Sequence, residues 1–311
     1  MSGTTLTIFI DEAVKQLLGA STTLSVDSGP PRVSALTAAD FGQEATDLAA
    51  YALGVPVCAL PMDRELRDDE IARLQHLVDQ RADGIPIGHL TGSAVLGGVT
   101  VSVGPGVFVP RVQSELVITH GLIEIADVPN PLVVDLCTGT GAVALAVAHA
   151  RPDATVHAVD IDPLALDYAR RNSARRVALG DTEIIIHEAD VTAAELLAEL
   201  DATVDLLIGL PPFMQDGDVS WLPAEFSEHQ PNRAIFSGPD GLDIIRHIVA
   251  AAARLLRPGG VCIIEHGVLH AESVPEILHS DGHFEDVADH LDTTGWPLYA
   301  TATRSQEGTE S

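Results

Sequence analysis

Apolar residues recur at three-to-four spacing through residues 7–18, 38–53 and 68–81, a pattern that predicts three amphipathic helices. Between the first two, residues 21–32 carry Gly29-Pro30-Pro31 and read as a loop. After Gly84 the period changes: short valine-rich runs at 92–95, 99–103 and 107–109, broken by glycines, predict strands and a β-hairpin linker. From Pro131 onward, apolar runs at 132–136, 155–159, 183–187, 204–208 and 261–265 alternate with helical segments. Such alternation predicts an α/β fold, with a parallel sheet wrapped by helices. Two last runs, 284–290 and 298–303, flank 292–297 and predict an antiparallel pair. The expected organisation is therefore a helical domain over 1–83, a hairpin linker over 84–112, an α/β domain over 113–304 and a disordered tail over 305–311.

Composition narrows the partners more than the fold. The chain has 311 residues, 46% of them hydrophobic, enough to bury a full core. Its 45 acidic residues against 17 basic ones give a formal charge of -28, which repels phosphate backbones and anionic membrane surfaces. Neither nucleic acid nor membrane is an expected partner. Cys58, Cys137 and Cys262 lie too far apart to imply a disulfide framework. Residues 1–20 lack a basic start followed by an apolar core, so the expected location is cytoplasmic.

The chemistry starts at the run Val133-Val134-Asp135-Leu136-Cys137-Thr138-Gly139-Thr140-Gly141, a strand, a glycine turn and a helix start. Glycines at Gly139 and Gly141 let the backbone approach a ligand, and their spacing to Ala144 also matches a dinucleotide-binding turn. Asp160, 19 residues after Gly141, ends the next strand where a carboxylate can accept from ribose hydroxyls in either cofactor. Two further carboxylates separate the alternatives. Asp190, followed by Val191, is placed to accept from an adenine amino group, and Asp135 lies where an amino-acid ammonium would sit. Three strand ends carrying carboxylates suit a cationic adenosine with an amino-acid tail and serve a pyrophosphate poorly. The expected cofactor is S-adenosylmethionine, with Cys137, Thr138 and Ile161 completing its surroundings.

These residues resemble the HemK/PrmC class of protein glutamine N5-methyltransferases, which modify peptide-chain release factors. The resemblance runs from about Ala45 to Arg304. It includes Gly84-Ile85-Pro86-Ile87-Gly88-His89-Leu90-Thr91-Gly92, then Phe108-Val109-Pro110-Arg111 with Ser114-Glu115. It continues through the glycine turn, Ala234-Ile235-Phe236-Ser237-Gly238-Pro239-Asp240-Gly241-Leu242 and Glu265-His266-Gly267. The resemblance implies a seven-stranded Rossmann-like class I methyltransferase sheet, S-adenosylmethionine as donor, no metal, and an Asn-Pro-Pro-Tyr loop that grips the target amide.

That loop departs from the family pattern. Pro211 and Pro212 remain, but Leu210 stands at the Asn position and Phe213 at the Tyr position. An amide nitrogen is a poor nucleophile, and leucine cannot accept the hydrogen bond that would hold its NH2 group; losing that partner costs about 1–3 kcal/mol. The expectation from Leu210 is a diverted enzyme that methylates oxygen or nitrogen of a small molecule in specialised metabolism. Two alternatives stand beside it: methylation of a release factor at its Gly-Gly-Gln loop, and a non-catalytic cofactor-binding protein. Pocket candidates are Phe213, Met214, Trp221 and Phe226, an aromatic cluster, together with Arg111; Glu115 and Glu228 are candidate bases or orienting groups. The helical domain is expected to cover the pocket or to form a homodimer. His266 and His270 share a helical spacing without a third metal ligand and read as structural histidines.

Overall fold

The computed structural model describes residues 4–23, 37–217 and 222–306. Among them the chain forms two compact units. The helical unit holds residues 4–23, 37–92 and 222–229, and the sheet unit holds 93–217 and 230–306. No helix among the described residues is long and apolar enough to cross a membrane.

In the helical unit, α1 (Leu6–Thr23), α2 (Ala38–Leu53) and α3 (Asp68–Ala82) pack around Phe9, Leu17, Phe41, Leu48, Leu74 and Val78. The predicted periodicity thus lies on the faces that meet. Helix α1 runs further than the spacing predicts, through Ser21 to Thr23; residues 24–32 of the expected loop lie outside the described residues. Thr37 and Asp40 form a reciprocal capping box at the start of α2, and Gly54 ends it in the left-handed region at φ 66°. The short α4 (Ile87–Thr91) follows α3. Buried Arg81 on α3 binds Glu44 on α2 and Glu225, both at 2.9 Å.

The sheet unit opens with a hairpin of β1 (Ser93–Leu96) and β2 (Val99–Ser102) and continues into α5 (Glu115–Glu124). The expected strand at 107–109 does not form. Val107 closes a turn on Gly104, and the Val109 N–H donates to the buried Gln230 side chain instead of to a ladder. Next come β3 (Leu132–Leu136), α6 (Ala142–Ala150), β4 (Thr155–Asp160), α7 (Pro163–Ala178), β5 (Ile185–Glu188) and β6 (Val204–Gly209). The segment 222–229, with α8 (Ala224–Ser227), belongs to the helical unit. The chain then forms α9 (Asp243–Leu255), β7 (Leu256–Glu265), α10 (Ser273–Asp281), β8 (Phe284–Leu291) and β9 (Pro297–Arg304).

The sheet has the seven strands that the sequence resemblance implies, in the order β5-β4-β3-β6-β7-β9-β8. The first five are parallel, and β9 runs antiparallel to both β7 and β8. Parallel strands are covered on both faces and so read as continuous apolar runs; Val133 through Leu136 are all buried. Val133, Leu206, Ile208 and Ile263 face the layer containing α5 and α6, whereas Val134, Leu207, Cys262 and Ile264 face the layer with α9 and α10. At the end of the chain, Ser305 is tied to the His283 carbonyl, so it does not belong to the expected tail; residues 307–311 lie outside the described residues.

One buried amide joins the hairpin to this frame. Asn172 on α7 accepts from the Ser102 N–H at 2.7 Å and donates to the carbonyls of Ser102 and Thr140, at 3.1 and 3.0 Å. Asn172→Ala leaves three backbone groups without that partner. The expected outcome in urea unfolding is a loss of roughly 2–4 kcal/mol.

Candidate functional site

Strand order reverses its direction of progress between β3 and β6: β4 and β5 continue to one side, β7 to the other. Ligands of doubly wound sheets bind outside the carboxyl ends of the strands at such a point. The glycine turn and the proline loop leave from these two strands. Leu136 pairs with Gly209 in the last rung, and the Leu210 N–H donates to the Leu136 carbonyl at 3.2 Å. Two motifs separated by some seventy residues of sequence thus share one crevice.

Asp135 is buried on the face of α6. Its Oδ2 accepts from the Thr138 hydroxyl at 2.5 Å and from the Ala144 N–H, in the first turn of α6, at 3.1 Å. Its Oδ1 is buried with no partner. Burial pushes the Asp135 carboxyl up to about 7, against the pull of those two donors. The turn that follows is conformationally demanding. Cys137, a non-glycine residue, has φ 62°, Gly139 φ 56° and Gly141 φ 82°. The two glycines serve different ends. A Cβ on Gly139 would meet nothing within 4 Å, so the space over that peptide is open, whereas one on Gly141 would lie 3.2 Å from the Ala169 Cβ of α7. Burial raises the Cys137 thiol far above its ordinary range, which makes it an inert wall.

Asp160, at the end of β4, accepts from the Gly139 N–H at 2.8 Å through Oδ2 and from the Asp162 N–H at 2.9 Å through Oδ1. Burial raises its carboxyl despite these bonds. Each oxygen retains a second lone pair for a ligand hydroxyl. Ile161 beside it is 52% exposed, an apolar surface at the mouth. Asp190 Oδ1 accepts from the N–H and hydroxyl of Thr192, both at 2.8 Å, and these bonds hold its carboxyl below the usual range. Val191 is partly buried next to it.

The proline loop is held by its backbone. The Phe213 carbonyl accepts from His270 Nε2 at 2.8 Å, and Met214, buried, exchanges backbone bonds with Ile235 and Ser237. A Cβ on Gly241 would lie 2.3 Å from the Phe213 carbonyl oxygen, and one on Gly267 2.9 Å from its ring. Both glycines are therefore required by Phe213. His266 Nε2 pairs with Asp289 at 2.8 Å, so both histidines have structural partners.

Glu115 Oε1 accepts from the Gly97 N–H at 3.1 Å and so fastens the β1–β2 turn. Phe226, buried, and Glu228, exposed, belong to the helical unit. Trp221 lies outside the described residues. Arg111 places its charge near Glu265, the buried last residue of β7. Sequence reasoning passed over Glu265 and His270 as chemistry. The Glu-His-Gly triplet was visible only as resemblance, and nothing in its spacing says that its first residue is buried.

Residues 34–92 match the family model described as PrmC N-terminal domain, and residues 100–226 match Methyltransferase small domain. A release factor glutamine methyltransferase of Mycolicibacterium smegmatis is 44% identical over 83% of this chain and 88% of its own. The chain belongs to the HemK/PrmC family of methyltransferases. Proteins of the same name from Mycobacterium tuberculosis (strain H37Rv) and Streptomyces coelicolor are each 38% identical over 84% of this chain, and over 84% and 90% of their own lengths. Similarity to solved structures is looser: a Pyrococcus furiosus methyltransferase is 15% identical over 66% of this chain and 88% of its own, with a TM-score of 0.46.

These HemK/PrmC relatives overturn the small-molecule acceptor expected from Leu210. A single side chain in the loop weighed too heavily in that expectation: an acceptor is selected by the whole surface presented to it, and these relatives match this chain in both its domains.

The titration of Asp135 gives a prediction independent of the acceptor. A carboxyl raised in the folded state binds its proton more tightly there than when unfolded, so its burden on stability is absent well below the ordinary value of 3.8, grows as pH rises from there to about 7, and is constant above that. Relative to the wild type, Asp135→Asn is expected to gain about 2–3 kcal/mol of stability between pH 5 and pH 8, by urea unfolding of the ligand-free protein. A gap that does not widen with pH means that Asp135 is not buried as described.

Proposed function

We propose that this methyltransferase uses S-adenosylmethionine to methylate the side-chain amide nitrogen of a glutamine in a peptide-chain release factor. The observation that carries this reading is the 44% identity over 88% of a relative named release factor glutamine methyltransferase. The geometry of the crevice supports it: the proline loop and the glycine turn lie one hydrogen bond apart. The residues also fit the donor. The unpartnered Asp135 Oδ1 suits an ammonium, the open space over Gly139 admits a close ligand, Asp160 suits ribose hydroxyls, and Asp190 with Val191 and Ile161 suits an adenine.

S-adenosylmethionine supplies an electrophilic methyl group on a sulfonium. The chain's own residues orient that group and the amide, which is where proximity can supply most of the rate. Asp135 anchors the amino-acid end when ionised. Pro211 and Pro212, with φ fixed by their rings, keep the loop in one shape, and His270 fixes the Phe213 carbonyl. In the transfer, the N–C bond forms as the S–C bond breaks, the electron pair stays on sulfur, and one amide proton leaves to solvent. The net charge of -28 favours encounter with a partner that presents a basic surface.

Two measurements on one preparation test the reading. S-adenosylhomocysteine is expected to bind in calorimetry, at least several-fold more tightly at pH 8 than at pH 6, and Asp135→Asn to abolish that gain. A labelled-methyl assay against a full-length release factor is expected to place the methyl on the glutamine of its Gly-Gly-Gln loop. Donor binding with no label on that glutamine refutes the proposed acceptor, and absence of donor binding refutes the proposed donor.

A further inference from the structure

Four buried side-chain oxygens lack a hydrogen-bond partner among the described residues: Asp135 Oδ1, Thr140 Oγ1, Ser173 Oγ and Glu265 Oε2. Asp135 belongs to the donor site. The two hydroxyls carry their own hydrogen and can turn it toward a neighbour. Glu265 is different, because an ionised carboxylate oxygen can be satisfied only by a donor that comes to it, and leaving it bare is costly. Its other surroundings are ordered for a carboxylate. The buried Ser114 donates to it, and the charge of Arg111 faces it; burial raises the carboxyl and these two neighbours draw it back.

Its place in the sheet says which donor could arrive. Gly209 of β6 pairs with Ile264 of β7, so the next rung beyond the ladder holds Leu210 beside Glu265. Neighbouring parallel strands lie about 5 Å apart. Side chains alternate along β7, so Glu265 projects to the same face as Ile263, and Leu210 packs against that same layer. An acceptor oxygen thus lies next to the position where Leu210 offers none.

We propose that Glu265 Oε2 accepts a hydrogen bond from the NH2 group of the acceptor amide and orients it toward the methyl group, a task Leu210 cannot perform. This rests on the reading that the acceptor is a glutamine amide. An N–H bonded to an anionic oxygen also leaves more electron density on its nitrogen, which favours attack on the methyl carbon. The neighbouring Arg111 and Ser114 hold the carboxylate in position for this.

The test uses the full-length protein with a full-length release factor, and three variants: Glu265→Gln, Leu210→Asn and the double variant. Glu265→Gln is nearly isosteric. Ser114 keeps its carbonyl oxygen occupied, and an NH2 group then stands where the acceptor's own NH2 must donate. The expected result is a fall in kcat of about 10- to 100-fold, with S-adenosylhomocysteine affinity within twofold of wild type. The double variant is expected to regain at least fivefold over Glu265→Gln, because Asn at position 210 supplies a second acceptor. Several outcomes overturn the proposal alone while the wild type remains active: Glu265→Gln within twofold of wild type, a parallel loss of donor affinity, or no recovery in the double variant. A wild type that binds donor but leaves the release factor unmethylated overturns the proposed function, and this inference with it.

Discussion

The reversal of strand order between β3 and β6 is the constraint on which the site depends. A right-handed crossover carries the chain from β3 through α6 to β4 on one side and from β6 through α9 to β7 on the other. The two crossovers diverge, so neither α6 nor α9 closes the carboxyl ends of the central pair. Backbone groups there have lost their ladder partners and must be satisfied locally. The Leu210 N–H finds Leu136, the Thr138 N–H finds Val159, and the Gly139 N–H finds Asp160. The positive φ values of Cys137, Gly139 and Gly141 follow from the same need, since the chain must turn from strand to helix within a few residues while keeping the crevice open.

Much of this architecture was legible because parallel sheets announce themselves. Apolar runs at 132–136 and 204–208 coincide with observed strands to within a residue, since burial on both faces leaves them apolar except for Asp135 and Asp205. Legibility failed where the competing signal was tertiary. Valines at 107–109 have strand propensity, but the turn on Gly104 and the Gln230 side chain take their hydrogen-bonding groups. Likewise, Glu115 reads in sequence as a free carboxylate beside a motif, and its commitment to Gly97 depends on a hairpin fold that no spacing reveals.

At the site, the donor side was more legible than the acceptor side for a physical reason. Asp135, Asp160 and Asp190 each lie at or close to the carboxyl end of a strand, so sequence order alone brings them to one edge of the sheet. The proposed acceptor contact involves neighbours across the sheet, Leu210 and Glu265, which are distant in sequence. Inferring a new acceptor class from Leu210 treated one residue as the whole clamp.

Asp135 and Glu265 follow a common logic. They project from β3 and β7 to the same face, on either side of β6, and each keeps one buried oxygen without a partner. They lie two strand spacings apart across the sheet, on the order of 10 Å, with Ile208 level with Asp135 and Leu210 level with Glu265. In a fold selected only for stability, such carboxylates would be removed or paired, because burial raises the free energy of both charged forms. Thr138 and Ala144 compensate Asp135 in part, and Ser114 and Arg111 do so for Glu265. Leu210, beside Glu265 in the next rung, adds no competing donor or acceptor and so leaves that oxygen available to a group that enters the crevice.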